Sequence, residues 1–284
     1  MLFLSLFLCI APCLFSMDWP SQTGEIIKNF GWNDGGLPHL GISFEDEGSL
    51  ASAEDGELLY SREEGDTASR LPSPLGSWIA LDHGDGIVSI YSRFNMKTSL
   101  PGGNRIIKGT ILGDSGITGW SSNRGFYFQL FDRKEKRWIN PTLIIAAPAN
   151  ERSPQIASVR LKDAQGQIFD LSQQRNLSQG RYLVYVDAID TSRNQNDRPL
   201  APYRIICTLN GSEAGVLNFE TYSSRNGVLT VYRNGLIPVK QVYAPAPAYE
   251  AAEVWLSRGQ TTLEIIVQNT QGALRSLVYR FMVE

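Results

Sequence analysis

The stretch Asn123–Asp132, NRGFYFQLFD, sets Phe126, Phe128 and Leu130 in alternation with Gly125, Tyr127 and Gln129. A period of two marks a strand, because successive side chains leave opposite faces of the pleat. One face, carrying the two phenylalanines and the leucine, is expected to be buried. The other sends a glycine, a tyrosine and a glutamine outward or into a cleft. Similar runs recur along the chain, and Gly, Pro, Asn or Asp stops each one. With 26 Gly and 14 Pro in 284 residues, long helices have little room, and the chain reads as all-β.

Two halves are visible. In the first, GELLYSR, SWIALDH and GIVSIYSR read as strands, the last two joined through Gly84, Asp85 and Gly86 as a hairpin. GNRIIKGTILGDSG has the rhythm of short strands turned by glycine. GFYFQLFD and RWINPTLII form a closing pair around a charged, solvated tip, Arg133–Arg137. TGEIIKNFG fits a short helix or a strand. The pattern breaks at AAPANERSPQ, residues 146–155. Beyond it IASVRLKDAQG, GRYLVYVDAID, PYRIICTLNG, GVLTVYRNG, AEVWLSRGQ, TTLEIIVQN and LVYRFMVE give about seven strands, the number of an immunoglobulin-like sandwich. The Cys and Trp markers of antibody domains are absent. The expected organisation is 1–16, 17–148 and 153–284.

Residues 1–16, MLFLSLFLCIAPCLFS, are apolar but too short for a permanent span, and fit a secretory signal lacking a leading Lys or Arg. Cys13 invites a lipoprotein reading, which Pro12 argues against. Cys9 and Cys13 fall in this segment, leaving Cys207 as a buried, inert thiol. Export to the periplasm or cell envelope is expected, with the membrane involved only through that signal. A net charge of -3, and no basic stripe interleaved with aromatics, argue against nucleic-acid binding.

The chain has two histidines, His39 and His83. A catalytic zinc takes three protein ligands and an open position, so carboxylates would have to complete any such set. No HExxH or Cys-x-x-Cys spacing is present, and a Ser-His-Asp triad in the second half is excluded for want of histidine.

Over roughly residues 19–147 the chain resembles the LytM/lysostaphin-type peptidoglycan metalloendopeptidases. The resemblance follows one order: GEIIKNFGWNDGGLPHLGI, ASAEDGELLYS, IALDHGDGIVSIYSRF, GGNRIIKGTILGDSGITG and GFYFQLFDRKEKRWINP. It implies a LytM-like β-sheet domain followed by the sandwich. It also implies that His39 stands at the first zinc-ligand position of the family's H-x-G-x-D pattern. Ser43 stands where the family has the aspartate ligand. Gly125 and Tyr127 replace the two histidines of its H-x-H strand, the first catalytic and the second a ligand. Arg93 replaces a further active-site histidine two residues after the hairpin tyrosine, here Tyr91. His83 matches a histidine of the hairpin framework.

A serine hydroxyl and a neutral tyrosine are poor zinc ligands, and Arg93 adds charge that repels a dication. The expected function is therefore non-catalytic: a cell-envelope protein that binds peptidoglycan or regulates a cell-wall hydrolase, with no cofactor. The alternative is a zinc endopeptidase acting on peptidoglycan cross-bridges through a rebuilt site, drawing on Glu45, Asp46, Glu47 or Asp82. Against it, EDEG reads as a solvated loop and Asp82 as an exposed strand residue. A second alternative is a purely structural envelope protein. Tyr127 and Arg93 either line a groove that holds a carboxylate-bearing peptide or an acidic residue of a partner, or stack and plug the old site. Trp120 is either a partner anchor or a ring packed over its loop.

Overall fold

A computed structural model describes residues 17–65, 71–97, 103–145, 152–191, 198–243 and 247–284. The expected signal, residues 1–16, lies outside these, as does most of the break expected at 146–155. The first strands are β1 (Glu25–Lys28), β2 (Ile42–Glu45), β3 (Ser49–Ala51), β4 (Gly56–Arg62), β5 (Trp78–Asp82), β6 (Ile87–Ser92), β7 (Phe94–Met96), β8 (Arg105–Ile106), β9 (Ile111–Ser115), β10 (Gly125–Asp132) and β11 (Arg137–Ile139). Then follow β12 (Gln155–Asp163), β13 (Ile168–Asp170), β14 (Asn176–Leu177), β15 (Gly180–Thr191), β16 (Pro199–Leu200), β17 (Arg204–Leu209) and β18 (Ser212–Arg225). The last are β19 (Val228–Arg233), β20 (Leu236–Pro238), β21 (Tyr249–Leu256), β22 (Gly259–Gln268) and β23 (Leu274–Val283). TGEIIKNFG contributes a strand. No helix among the described residues is long and apolar enough to cross a membrane.

In the first half β10 lies between β6 on one side and β2 and β11 on the other, all antiparallel. Phe126, Phe128 and Leu130 enter a core with Ile42, Phe44, Ile79, Leu81 and Tyr91. Phe126 stacks on Phe44 at 4.6 Å between ring centroids. The expectation of a single buried face fails, because Tyr127 and Gln129 on the other face are buried as well. The segment before β2 folds over them. A Cβ at Gly41 would lie 2.3 Å from the Phe128 carbonyl oxygen, so only glycine lets this segment approach so closely.

The second half is a two-layer sandwich. β13, β12, β15 and β21 form one sheet; β23, β22, β17 and β18 run in the other. Val159, Leu161, Val184, Val186 and Val254 meet Ile205, Cys207, Leu217, Phe219 and Ile265 between them. Each fully buried aliphatic or aromatic side chain of this kind contributes about 1.5–3 kcal/mol. Cys207 is a free, buried thiol whose pKa burial pushes up to about 12, which makes it unreactive.

One sheet runs through both halves. β11 pairs with β18 in the register Arg137↔Ser223, Trp138↔Tyr222 and Ile139↔Thr221. Beside this ladder Asn140 donates from Nδ2 to the Phe219 carbonyl at 3.0 Å, and its Oδ1 accepts from Thr142. The segment from Asn29 to Asn33 docks on the sandwich. Phe30 is buried in the sandwich core, Asn29 exchanges two hydrogen bonds with the Ala201 backbone, and Tyr243 Oη donates to the Gly31 carbonyl at 2.8 Å. Tyr222 and Tyr243 share a hydrogen bond behind it.

Because ladder, docked segment and tyrosines are continuous, both halves should unfold together. Asn140→Ala strands the Phe219 carbonyl and should cost about 2–3 kcal/mol in urea denaturation. Tryptophan fluorescence and far-UV circular dichroism should trace one coincident transition. Two separated transitions in the wild type would contradict the coupling.

Candidate functional site

The side chains that the resemblance singles out converge where β2, β6 and β10 meet. Ser43 and Ser92 flank Tyr127 from the two neighbouring strands. His39 comes from the segment that docks on the sandwich. Its backbone N–H donates to the Trp32 carbonyl and its carbonyl accepts from the Gly31 N–H, both at 2.9 Å. The sandwich thus holds the loop that positions the histidine.

His39 is 8% exposed. Its Nε2 shares a 3.0 Å hydrogen bond with Ser43 Oγ, and its ring lies 4.8 Å from that of Tyr127. Burial, helped by the charge of Lys28, lowers its pKa from 6.5 to about 3, so the imidazole stays neutral. Tyr127 is 6% exposed, and burial raises its pKa well above the usual phenol range. Phenolate, the form a metal would want, is therefore disfavoured.

Arg93 lies directly after β6 with φ of +67°, a left-handed conformation strained for arginine. That turn aims its N–H at the carbonyls of Leu75 and Ser77, at 2.8 and 2.9 Å. Its guanidinium carbon sits 5.0 Å from the centre of the Tyr127 ring, a cation–π contact. Its Nε is buried without a hydrogen-bond partner, and no carboxylate among the described residues pairs with it.

Gly125 has φ of +154°, and a Cβ there would fall 1.8 Å from the Phe44 carbonyl oxygen. The backbone has closed on this position, leaving no room for any side chain.

The carboxylates that could have rebuilt a site are engaged elsewhere. Glu45 accepts from Asn123 at 2.9 Å and pairs with Arg198. Asp46 corrects the reading of EDEG as a solvated loop. It is buried, accepts from Ser21, Thr23 and the Gly48 N–H, and organises the turn after β2. Glu47 faces Arg124. Asp82 is likewise not freely exposed, because Arg133 from the β10–β11 tip pairs with it. His83 donates from Nδ1 to the Asp55 carbonyl and accepts at Nε2 from Ser89, both at 2.7 Å, so it clamps the hairpin. No group of three or more His, Cys, Asp or Glu side chains suited to a metal exists among the described residues. One neutral imidazole bound to a serine, a glycine with no space and a tyrosine under a cation do not fit a zinc ion.

Above Ser43 and Arg93 a pocket of about 70 Å³ remains, bounded by Lys28, Trp120, Ser122 and Asn123. Trp120, 78% exposed, stands at its rim rather than packing over its loop. A shallow opening thus lies over Arg93, while Tyr127, packed against the Arg93 guanidinium and the His39 ring, is not part of its lining.

Among solved structures the chain is similar to M23 peptidases, the group its motifs resemble. With the catalytic domain of EnpA, a prophage-encoded M23 protein from Enterococcus faecalis, it shares 18% identity over 42% of this chain and 87% of that one, at a TM-score of 0.35. With the catalytic domain of lysostaphin from Staphylococcus simulans it shares 21% identity over 39% of this chain and 81% of that one, at 0.32. The SpoIIQ–SpoIIIAH pore-forming complex matches at 15% identity over 48% and 94%, at 0.37. One protein-family model matches residues 153–284. No curated protein matches the chain.

Two outcomes test this geometry. Gly125→Ala should destabilise the protein by at least about 3 kcal/mol, since the new methyl meets backbone; a change under 1 kcal/mol in urea titration would show that the strand relaxes there. As pH falls below 6.5, the unfolded chain gains a proton that folded His39 refuses until about 3. Stability lost over that window should reach about 1.4 kcal/mol per pH unit. His39→Gln should remove this part of the slope, measured as the difference between the two pH–stability curves.

Proposed function

We propose that this is a non-catalytic LytM-like protein of the cell envelope, exported by its N-terminal segment. It would be built as a degenerate peptidase domain, 17–148, and an immunoglobulin-like sandwich, 153–284. Its groove over β2 and β10 recognises a carboxylate, carried either by a peptide stem of peptidoglycan or by an acidic residue of a wall hydrolase or other envelope partner. The observation that carries this reading is Arg93. Its guanidinium is held in a strained turn against Tyr127, has no carboxylate partner among the described residues, and faces a pocket rimmed by an exposed tryptophan. Arginine offers a forked set of donors that suits a carboxylate, and an indole beside it supplies contact area.

The same geometry weighs against peptidase chemistry. His39 is committed to Ser43, and Gly125 cannot be given a side chain. Tyr127 supports the reading by holding the Arg93 guanidinium against its ring face beside that pocket.

Elemental analysis of the purified protein should find zinc well below one equivalent, and incubation with muropeptides should leave them uncleaved. Stoichiometric, chelator-sensitive zinc with His39-dependent cleavage would overturn the reading. In pull-downs from sacculi and envelope extract, Arg93→Ala should reduce the captured material at least tenfold, and Arg93→Lys, which keeps charge but loses the fork, by several-fold. Tyr127→Ala should weaken capture too. Unchanged capture by all three variants would instead favour a purely structural protein.

A further inference from the structure

The segment Asp163–Arg181 carries five glutamines, at 165, 167, 173, 174 and 179. The groove over β10 uses none of them. Four of them, all but Gln173, gather at one end of the sandwich, where the β12–β13 turn, the segment around β14 and the edge strand β21 enclose a depression of about 630 Å³. Its size falls in the range of small-molecule sites, roughly 300–1,000 Å³.

The lining has a definite chemistry. Gln165, Gln167, Gln174, Gln179 and Asn176 all border it, and Trp255 forms one wall. Trp255 is 60% exposed, and its indole has no aromatic partner among the described residues. Only Gln174 of the five amides spends its side chain in a hydrogen bond, to the Asn176 carbonyl. The others keep both a donor pair and an acceptor available.

The turn that presents two of them is built beforehand. Asp163 Oδ1 accepts from the backbone N–H groups of Gln165 and Gln167, at 2.9 and 2.8 Å, and Gly166 takes φ of +88°. A pre-formed turn spares a ligand the entropy of ordering it. Below it, Tyr182 donates to the Ser178 carbonyl at 2.9 Å and lies edge-on to Phe169, which fixes the floor.

These features discriminate among ligands. A phosphate or nucleotide would want free cations, yet Arg181, the depression's one arginine, is already paired with Glu253 at 2.5 Å. A lipid tail would leave the amides unsatisfied. A ligand that offers many hydroxyls, each both donor and acceptor, matches side-chain amides group for group. If it also has a flat face of C–H bonds, it can lie on an exposed indole. We propose that this depression is a saccharide-binding site that takes a short, uncharged oligosaccharide, with Trp255 as stacking platform and Gln165 and Gln167 as hydroxyl readers. A wall glycan is the natural source on the reading above, but the site stands apart from the groove over β10 and does not depend on that reading.

The full chain should be titrated by calorimetry, and by ligand-observed NMR, with chitooligosaccharides, cello-oligosaccharides and malto-oligosaccharides. An acidic tetrapeptide free of sugar serves as the non-saccharide arm. At least one oligosaccharide should bind. Trp255→Ala should weaken it tenfold or more, and Gln167→Ala several-fold, with melting curves and far-UV spectra unchanged. A chitooligosaccharide preference identifies N-acetylated glycan as the source, and a preference for the other series identifies a plain glucan; either supports the site. No binding of any oligosaccharide up to concentrations on the order of 10 mM, binding indifferent to both substitutions, or Trp255-dependent binding of the peptide alone would overturn it. Loss of capture in Arg93→Ala with sugar binding intact would separate this site from the groove.

Discussion

The ladder between β11 and β18 is the constraint on which the rest of the molecule depends. Three residue pairs join two hydrophobic cores into one sheet. A contact this short would hold little alone, but it is flanked by Asn140 and by the segment Asn29–Asn33, which buries Phe30 among sandwich side chains. Gly31 belongs to that segment with φ of +85°, and a Cβ there would press on the Phe219 ring at 3.1 Å. Tyr243 and Tyr249 both direct their hydroxyls at the Gly31 carbonyl. The loop that ends in His39 is thus shaped from behind by the second half of the chain, and the shape of the groove is a property of both halves.

The floor of the groove region is closed by side chains that satisfy one another. Each residue that the resemblance singled out has a structural neighbour: His39 with Ser43, Tyr127 with Arg93, Gly125 with the Phe44 backbone. The pKa of His39, about 3, is the electrostatic signature of that closure, since an imidazole in contact with water would stay near 6.5. Buried polar groups left unpaired cost about 1–3 kcal/mol each. Here they pair with one another. The exception is Arg93 Nε, and its isolation is what makes the region above it a candidate for recognition.

Much of this was legible from sequence. In the first half β4, β5, β6 and β10 fall where alternation put them, β10 matching GFYFQLFD residue for residue. RWINPTLII is a strand only as far as Ile139, because Pro141 turns the chain into a 3-10 helix. The short β2, β3 and β7 were not visible. What alternation could not show is that the second face of β10 is covered, because the covering loop is distant in sequence and its close approach depends on Gly41. The longest strand, β18, was not visible. Its apolar residues Leu217, Phe219 and Tyr222 slip phase, and the pairing with β19 shifts between Asn218 and Tyr222. A bulge of this kind breaks the period-two signal while leaving the strand intact. Asp46 was misjudged for a related reason. An acidic run reads as solvated, whereas the hydroxyls of Ser21 and Thr23 that satisfy it lie more than twenty residues away. The glutamines of the sandwich end carry no motif spacing, and only the fold brings them around one tryptophan.

The backbone at Gly125 gives the chain a direction of change. The carbonyl of Phe44 occupies the space that any side chain at position 125 would need. Room for one would demand that two paired strands slide apart, breaking register along a sheet that both cores share. The Trp120 side chain at the rim, by contrast, stands in the open, so the surface can vary there far more readily than at its closed end.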